Sequence, residues 1–436
     1  MNRISFNYGL TDITPKEQLL LDGYANRTGL SGRIHRKLSS RCLVLRYKDT
    51  GVCIIVNDLT DVHPGIVSRI TSQISGEADL KEDQVILIST HTHSAPVMEY
   101  GRHEANDHYI DAVIRIIAEN CIRLVNDTDA FREVSFRKGT ALCNINIASR
   151  DVRPDGKGIS FRIGDPEGLC DEEVGILELA DETDERKVTL FNYSCHPVTL
   201  GYDSNYISTD FPGKAREIVE LTKGGMAVFL NGASGDINPR RSYNIDTRIT
   251  DDVGRHLGQA IISTGLTSNS RKTDLRIITE TVNLPFRDQY ITRDHIAYEA
   301  RRKAVETTGF FNWKEILGRW EKQICGMIEK NEIRPYLPVK ISILKLGKTI
   351  ILFTQGELFV SYQLELKKKF RNYQLFCVSY AHGAGVYIPT AWFLANKTYE
   401  SDKAYIYEGL PSPLSPGAER IYLGKVVDTI KMLLSK

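Results

Sequence analysis

The chain has 436 residues, 42% of them hydrophobic and 25% charged, with a formal charge of +1 at pH 7. This length supports one large or two medium domains with a sizeable core, and the composition excludes collagen-like, disordered and coiled-coil classes. A near-neutral balance gives no broad basic field for nucleic acid and no acidic excess for a basic partner, so the expected partner is a small molecule.

Short apolar, β-branched runs alternate with longer stretches of helical period, which predicts an α/β fold: a mixed β-sheet core flanked by helices. The predicted strands are 42–47, 52–57, 84–90, 187–195, 226–231, 276–285, 339–345, 348–354 and 374–380. The predicted helices are 60–74, 107–125, 211–222, 250–264, 294–307, 312–330, 357–369 and 421–434. Neither a repeat nor a low-complexity linker interrupts 1–436, read as a single domain. Residues 294–335 read as a helical insertion or lid carrying Trp313 and Trp320. The start, MNRISFNYGLTDITPKE, has no basic segment followed by an apolar one, and no later run is long enough to span a bilayer. A cytoplasmic location without integral membrane association is therefore expected. Eight cysteines are scattered without a CxxC pair, several within apolar runs around Cys53 and Cys377, and read as reduced core thiols.

Metal-competent residues cluster just past the ends of the apolar strands. Val85–Thr90 runs into His91-Thr92-His93-Ser94-Ala95-Pro96, and Val188–Cys195 into His196-Pro197. Met226–Leu230 ends in Asn231-Gly232-Ala233-Ser234-Gly235-Asp236-Ile237-Asn238-Pro239, and Ile350–Thr354 in Gln355-Gly356-Glu357. Open α/β sheets build sites outside the carboxyl ends of their strands, so four strands point at one site. His91 and His93, two apart in extended backbone, project to one side and suit one metal ligand beside one catalytic neighbour. Pro197 holds His196 out of helical backbone, and Glu357 follows a glycine at a predicted helix start. Each residue alone has a structural reading; His91, His196 and Glu357 together form the two-histidine, one-carboxylate set of catalytic zinc, with a position open for water.

Several of these segments resemble the neutral/alkaline (non-lysosomal) ceramidase family. Thr90–Pro96 is similar to its THTHSGP motif, Cys195-His196-Pro197 to its THP, Gly235–Pro239 to its GDVSP and Gly356-Glu357 to its GE. Gly9–Thr14, Gly23-Tyr24-Ala25, Ser40-Arg41, Asp58-Leu59, Tyr387-Ile388-Pro389-Thr390 (the family's YVTT) and Tyr399-Glu400 fit in the same order. The likeness spans nearly the whole chain and matches the family's catalytic domain. It implies one zinc per chain surrounded by His91, His196, Glu357 and Tyr387, with His93 beside the metal-bound water and Tyr399 facing the substrate headgroup. Asp236 and Asn238 join His93 and Tyr399 as the candidate catalytic residues. Asp210, within Ser208–Gly213, either orients a ligand histidine or caps a helix.

One departure stands out. The family's motif serine falls on Asn238, which forms hydrogen bonds but cannot be a nucleophile. The expected function is hydrolysis of an amide bond in an N-acyl amine by zinc-activated water, with His93 as general acid/base and Tyr387 or Asn238 hydrogen-bonding the oxyanion. Arg41, Arg150 and Arg153 are candidate substrate clamps. The alternative is a zinc-pocket binding protein without turnover; a two-metal phosphoesterase would need more carboxylates than Glu357.

Overall fold

The computed structural model describes residues 3–25, 27–152, 161–268, 274–306, 313–383 and 385–435. Three β-α-β units organise them. In the first, Thr50–Asn57 and Val85–Ser89 run parallel and helix Pro64–Glu77 crosses between them. Lys187–Tyr193 and Met226–Asn231 form the second with helix Asp210–Lys223, and Thr349–Thr354 and Gln374–Val378 the third with helix Val360–Lys369. Val85–Ser89, Lys187–Tyr193, Met226–Asn231 and Thr349–Thr354 are buried along their whole length, the usual state of parallel strands covered on both faces.

Antiparallel strands extend each unit into a mixed sheet. Ser39–Tyr47 and Ser5–Asp12 join the first, Glu173–Ala180 and Ser135–Leu142 the second, and Tyr336–Leu346 and Leu275–Pro285 the third. The inner faces meet in one apolar cluster, to which Ile54 and Ile86, Leu190 and Val228, and Ile351 and Phe376 contribute from the three sheets. Helices cover each outer face: Pro64–Glu77 and Glu104–Asn126 the first, Asp210–Lys223 and Thr247–Ile262 the second, Val360–Lys369 and Ala418–Ser435 the third. The α/β expectation is met by several mixed sheets rather than by one.

Every predicted strand and helix occurs, most with shifted ends; the predicted helix ends at 307 and 312 lie outside the described residues. The helix expected from 60 starts at Pro64, whose ring fits the first helical turn, with His63 Nδ1 accepting the Gly65 N–H. The helix expected from 357 starts at Val360, so Glu357 is not at its start. Glu357–Leu358 instead pair with Tyr387–Ile388, and the Asp236 carboxylate accepts the Val360 N–H at 2.8 Å. Strand Glu173–Ala180 was not expected because Glu173 and Glu178 interrupt its apolar run; Glu178 is buried against Arg137. All eight cysteines are free. Helices Arg293–Glu306 and Trp313–Glu329 pack together with Tyr405 and Ile406 and reach Ala25, while the Trp320 indole N–H donates to the Leu410 carbonyl at 2.7 Å.

His382 links the first and third sheets, its N–H on the Leu87 carbonyl and its Nε2 3.1 Å from Ser342 Oγ. Burial, aided by Lys340, lowers its pKa to about 3. The unfolded imidazole titrates near 6.5, so between those values the unfolded chain binds more protons than the folded one. The stability this group contributes is complete above pH ~6.5 and is lost as pH falls toward 3, by up to about 1.4 kcal/mol per pH unit. Denaturant unfolding at several pH values should show His382→Gln flattening this acid slope, whatever its stability at pH 7; equal slopes would refute the assignment.

Candidate metal centre

The three units deliver their polar residues to one end of the shared core. His91 leaves Val85–Ser89, His196 leaves Lys187–Tyr193, and Glu357 follows Thr349–Thr354. His91 has a φ of 66°, in the left-handed region, and its N–H donates to the Leu59 carbonyl. The His196 N–H donates to Ile237, and the His93 N–H to Pro197. The second and first units are thus joined directly beneath the rings.

The Nε2 atoms of His91, His93 and His196 converge. His91 lies 3.0 Å from His196, and His93 lies 3.1 Å from each. His91 Nδ1 donates to the Thr60 carbonyl at 2.9 Å, and His196 Nδ1 to the Ser234 carbonyl at 3.1 Å. These bonds place the neutral ring proton on Nδ1 and leave the Nε2 lone pair facing the centre. Lone pairs so close repel unless a cation lies among them. Tetrahedral zinc with Zn–N of 2.0–2.1 Å sets ligand nitrogens about 3.3 Å apart, so a few tenths of an ångström of relaxation accommodates it. This buried group of histidines could hold a metal ion.

Glu357 Oε2 stands 3.5 Å from His91 Nε2 and 3.8 Å from His196 Nε2. Tyr380 stacks on His91 with centroids 4.0 Å apart, and its hydroxyl donates to Glu357 Oε2 at 3.3 Å. Burial and then Glu357 push the Tyr380 phenol well above its ordinary range, which keeps it a donor. Burial pulls His91 down, but Glu357 and Asp61, the latter 3.4 Å from Nδ1, outweigh it and raise its pKa to about 9. Glu408 accepts the Tyr387 N–H; burial and then Glu357 hold its carboxyl well above the carboxylate range.

His93 is the most exposed of the three, at 9% against 2% for His91 and His196. Its ring meets Tyr24 edge-on at 4.8 Å, Tyr24 meets Tyr243 at 6.3 Å, and the Tyr243 hydroxyl accepts from Asn238 Nδ2 at 3.1 Å. Asn238 Oδ1, though buried, accepts no hydrogen bond among the described residues. Tyr387 pairs through its backbone with Glu357, and its ring lies 6.5 Å from that of Tyr399.

Other expected residues have different surroundings. Asp210 makes no hydrogen bond to a histidine among the described residues: it accepts from Thr199 Oγ1, the Leu200 N–H and, in the first turn of its own helix, the Phe211 N–H. Arg41 is buried against Glu220, Ser39 Oγ and the Ala227 carbonyl, so it is not a clamp. Arg153 and the side chain of Arg150 lie outside the described residues. Sequence reasoning passed over Tyr380 and Asp61, which fell inside the predicted strand 374–380 and helix 60–74; in the structure both lie beyond the strand ends at Val378 and Asn57.

Gly23 has a φ of +93°, and a Cβ there would fall 2.4 Å from His93 Cγ. Gly101, at φ +78°, meets nothing within 4 Å and isolates the backbone term. Left-handed backbone costs a non-glycine residue about 1–3 kcal/mol. In denaturant unfolding, Gly23→Ala should lose more stability than Gly101→Ala because it also displaces the His93 ring. Equal losses would show that the ring is not held by this glycine.

No family model matches the chain. Among solved structures it is similar to the neutral ceramidase from Pseudomonas aeruginosa, with a TM-score of 0.69 and 15% identity over 98% of this chain and 74% of that one. A ceramidase complexed with C2 matches with a TM-score of 0.67 and 14% identity, over 97% and 74% of the two chains. The chain therefore has a ceramidase-like fold.

Proposed function

We propose that this chain is a zinc-dependent amidohydrolase cleaving an N-acyl amine, with one zinc per chain. The observation that carries the reading is the approach of the His91 and His196 Nε2 atoms to 3.0 Å with Glu357 Oε2 3.5 and 3.8 Å from them, and with His93 Nε2 adjoining both. A ceramidase-like fold supports the reaction class. His91, His196 and Glu357 hold the ion: both rings are fixed through Nδ1 to main-chain carbonyls, and both lie within 3.8 Å of the carboxylate. Tyr387, paired to Glu357 through its backbone, is the further ligand. Bound zinc lowers the pKa of water toward neutrality and polarises a carbonyl.

The remaining roles fall to the chain's own residues. His93, on the more open side, exchanges the proton with the leaving amine. Asn238 Oδ1 accepts a substrate N–H, and Tyr399, beside Tyr387, faces the amine portion. Asp236 acts by position, its carboxylate fixing the Val360 N–H just after Glu357-Leu358. Residues 1–436 act as one domain, and the helical hairpin within 294–335, packed against Ala25, covers the side bearing Tyr24 and His93. No described helix is long and apolar enough to cross a membrane. The reading places the chain in the cytoplasm and takes a short N-acyl amine as its preferred substrate.

Zinc content and hydrolysis of N-acyl amines of graded chain length test the reading together. His91→Ala should lose most of the metal, the activity and part of the thermal stability, because metal binding contributes folding free energy. His93→Ala should keep near-stoichiometric zinc and lose roughly 10²–10⁴-fold in turnover. Zinc-saturated wild type without turnover on any amide would make the chain a binding protein, and full metallation of both variants would remove His91 from the ligand set. Faster cleavage of long-chain ceramide than of short amides would overturn the substrate assignment.

A further inference from the structure

A second cluster of metal-competent side chains lies within the core of the first sheet. Cys42 on Ser39–Tyr47, Cys53 on Thr50–Asn57 and Cys121 on helix Glu104–Asn126 are each 0% exposed. Cys42 Sγ is 3.4 Å from Cys53 Sγ and 3.3 Å from Cys121 Sγ. The three sulfurs lie within 4.8 Å of one another, and no His, Asp or Glu among the described residues joins the group. Ile55, Leu87 and Ile117 belong to the same apolar cluster.

The register decides what such a group can do. Cys42 is opposite Ile55 and Val44 is opposite Cys53, so the two strand cysteines are diagonal neighbours. Diagonal pairs across antiparallel strands stand roughly 7–8 Å apart, beyond the reach of a disulfide without backbone movement. An ion among the sulfurs needs no such movement, since metal–sulfur bonds of about 2.3 Å span the gap from a central point. Three thiols and no hard donor select a thiophilic ion.

Charge then selects its valence. Three thiolates leave a monovalent ion with a net charge of about −2 and a divalent one with about −1, in an apolar interior where an unpaired charge is costly. Arg123, whose field reaches Cys42, is itself exposed and cannot cancel that charge within the core. A trivalent ion gives a neutral complex. We propose that Cys42, Cys53 and Cys121 form a binding site for trivalent arsenic, entering as neutral arsenous acid. Three As–O bonds break and three As–S bonds form. Each thiol proton leaves on a departing hydroxide as water, so three waters are released and no oxidation state changes. The site is separate from the histidine centre and does not depend on the proposed amide hydrolysis.

The test uses the reduced protein and sodium arsenite. Native mass spectrometry should show one added arsenic less three hydrogens, X-ray absorption should show three sulfur neighbours and no oxygen, and the thermal midpoint should rise as ligand is added. Cys121→Ala and, as a second folded variant checked by circular dichroism, Cys53→Ala should each abolish uptake. Loss of the partly exposed thiols in Cys170→Ala and Cys325→Ala should leave it intact. Absence of uptake by the wild type, uptake that survives both core variants, or Cys121-dependent uptake of cadmium without arsenic would each overturn the proposal.

Discussion

Asn231 ends a buried strand of the second sheet and donates through Nδ2 to the Thr90 carbonyl of the first, 3.2 Å away. Asn192, in the neighbouring strand, donates to Leu230 in its own sheet and to Cys377 in the third, both at 2.8 Å. The Ser89 N–H closes the circle on the Tyr380 carbonyl. These bonds tie three sheets together at their carboxyl ends, and the histidines inherit their positions from that tie. Each contributes only about 0.5–1.5 kcal/mol net, whereas a stranded buried carbonyl costs about 1–3 kcal/mol, so the asparagines specify how the sheets meet more than they stabilise each sheet.

The same region carries left-handed backbone, which also occurs elsewhere at Lys48, Asp184, Asn331 and Lys397. His91, Asp210, Tyr380 and His382 all have φ between 51° and 66°. Strain of this kind persists only where surrounding contacts over-determine it. Those contacts are present: Asp210 is held by Thr199 and Leu200, His382 by Leu87 and Ser342, and Tyr380 by Gly356, Ser234 and Glu357. His91 is fixed at its N–H by Leu59 and at its ring by Thr60, so the ring's direction is set before any ligand arrives.

How much of this was legible in the sequence follows from its chemistry. His91, His196 and Glu357 could be found because polar residues abruptly ending apolar runs break a pattern, and the runs themselves were buried parallel strands. Tyr380 has the same position but reads as one more buried aromatic, and only stacking on His91 distinguishes it. The carbonyls of Thr60 and Ser234, which fix two ring tautomers, leave no trace, because every residue has a carbonyl. Strand Ser135–Leu142 was hidden by its part-exposed face, and the meeting of three sheets in one core depends on contacts that no local window contains.

Charge ties the two candidate ion sites together. With neutral rings, the histidine centre includes the carboxylates Glu357 and Asp61, a formal −2, while burial and then Glu357 hold the Glu408 carboxyl well above the carboxylate range. A proton on His91, favoured by both carboxylates over the opposing effect of burial, offsets only half of that charge. A divalent cation bound there would offset all of it, so metal and proton would compete for the same field. Among the three cysteines no carboxylate of the described residues intervenes, and with all three sulfurs bound as thiolates the proposed trivalent ion would leave the core neutral. In both places the fold fixes the donors first, and the charge those donors take on when an ion binds selects the ion that leaves the site neutral.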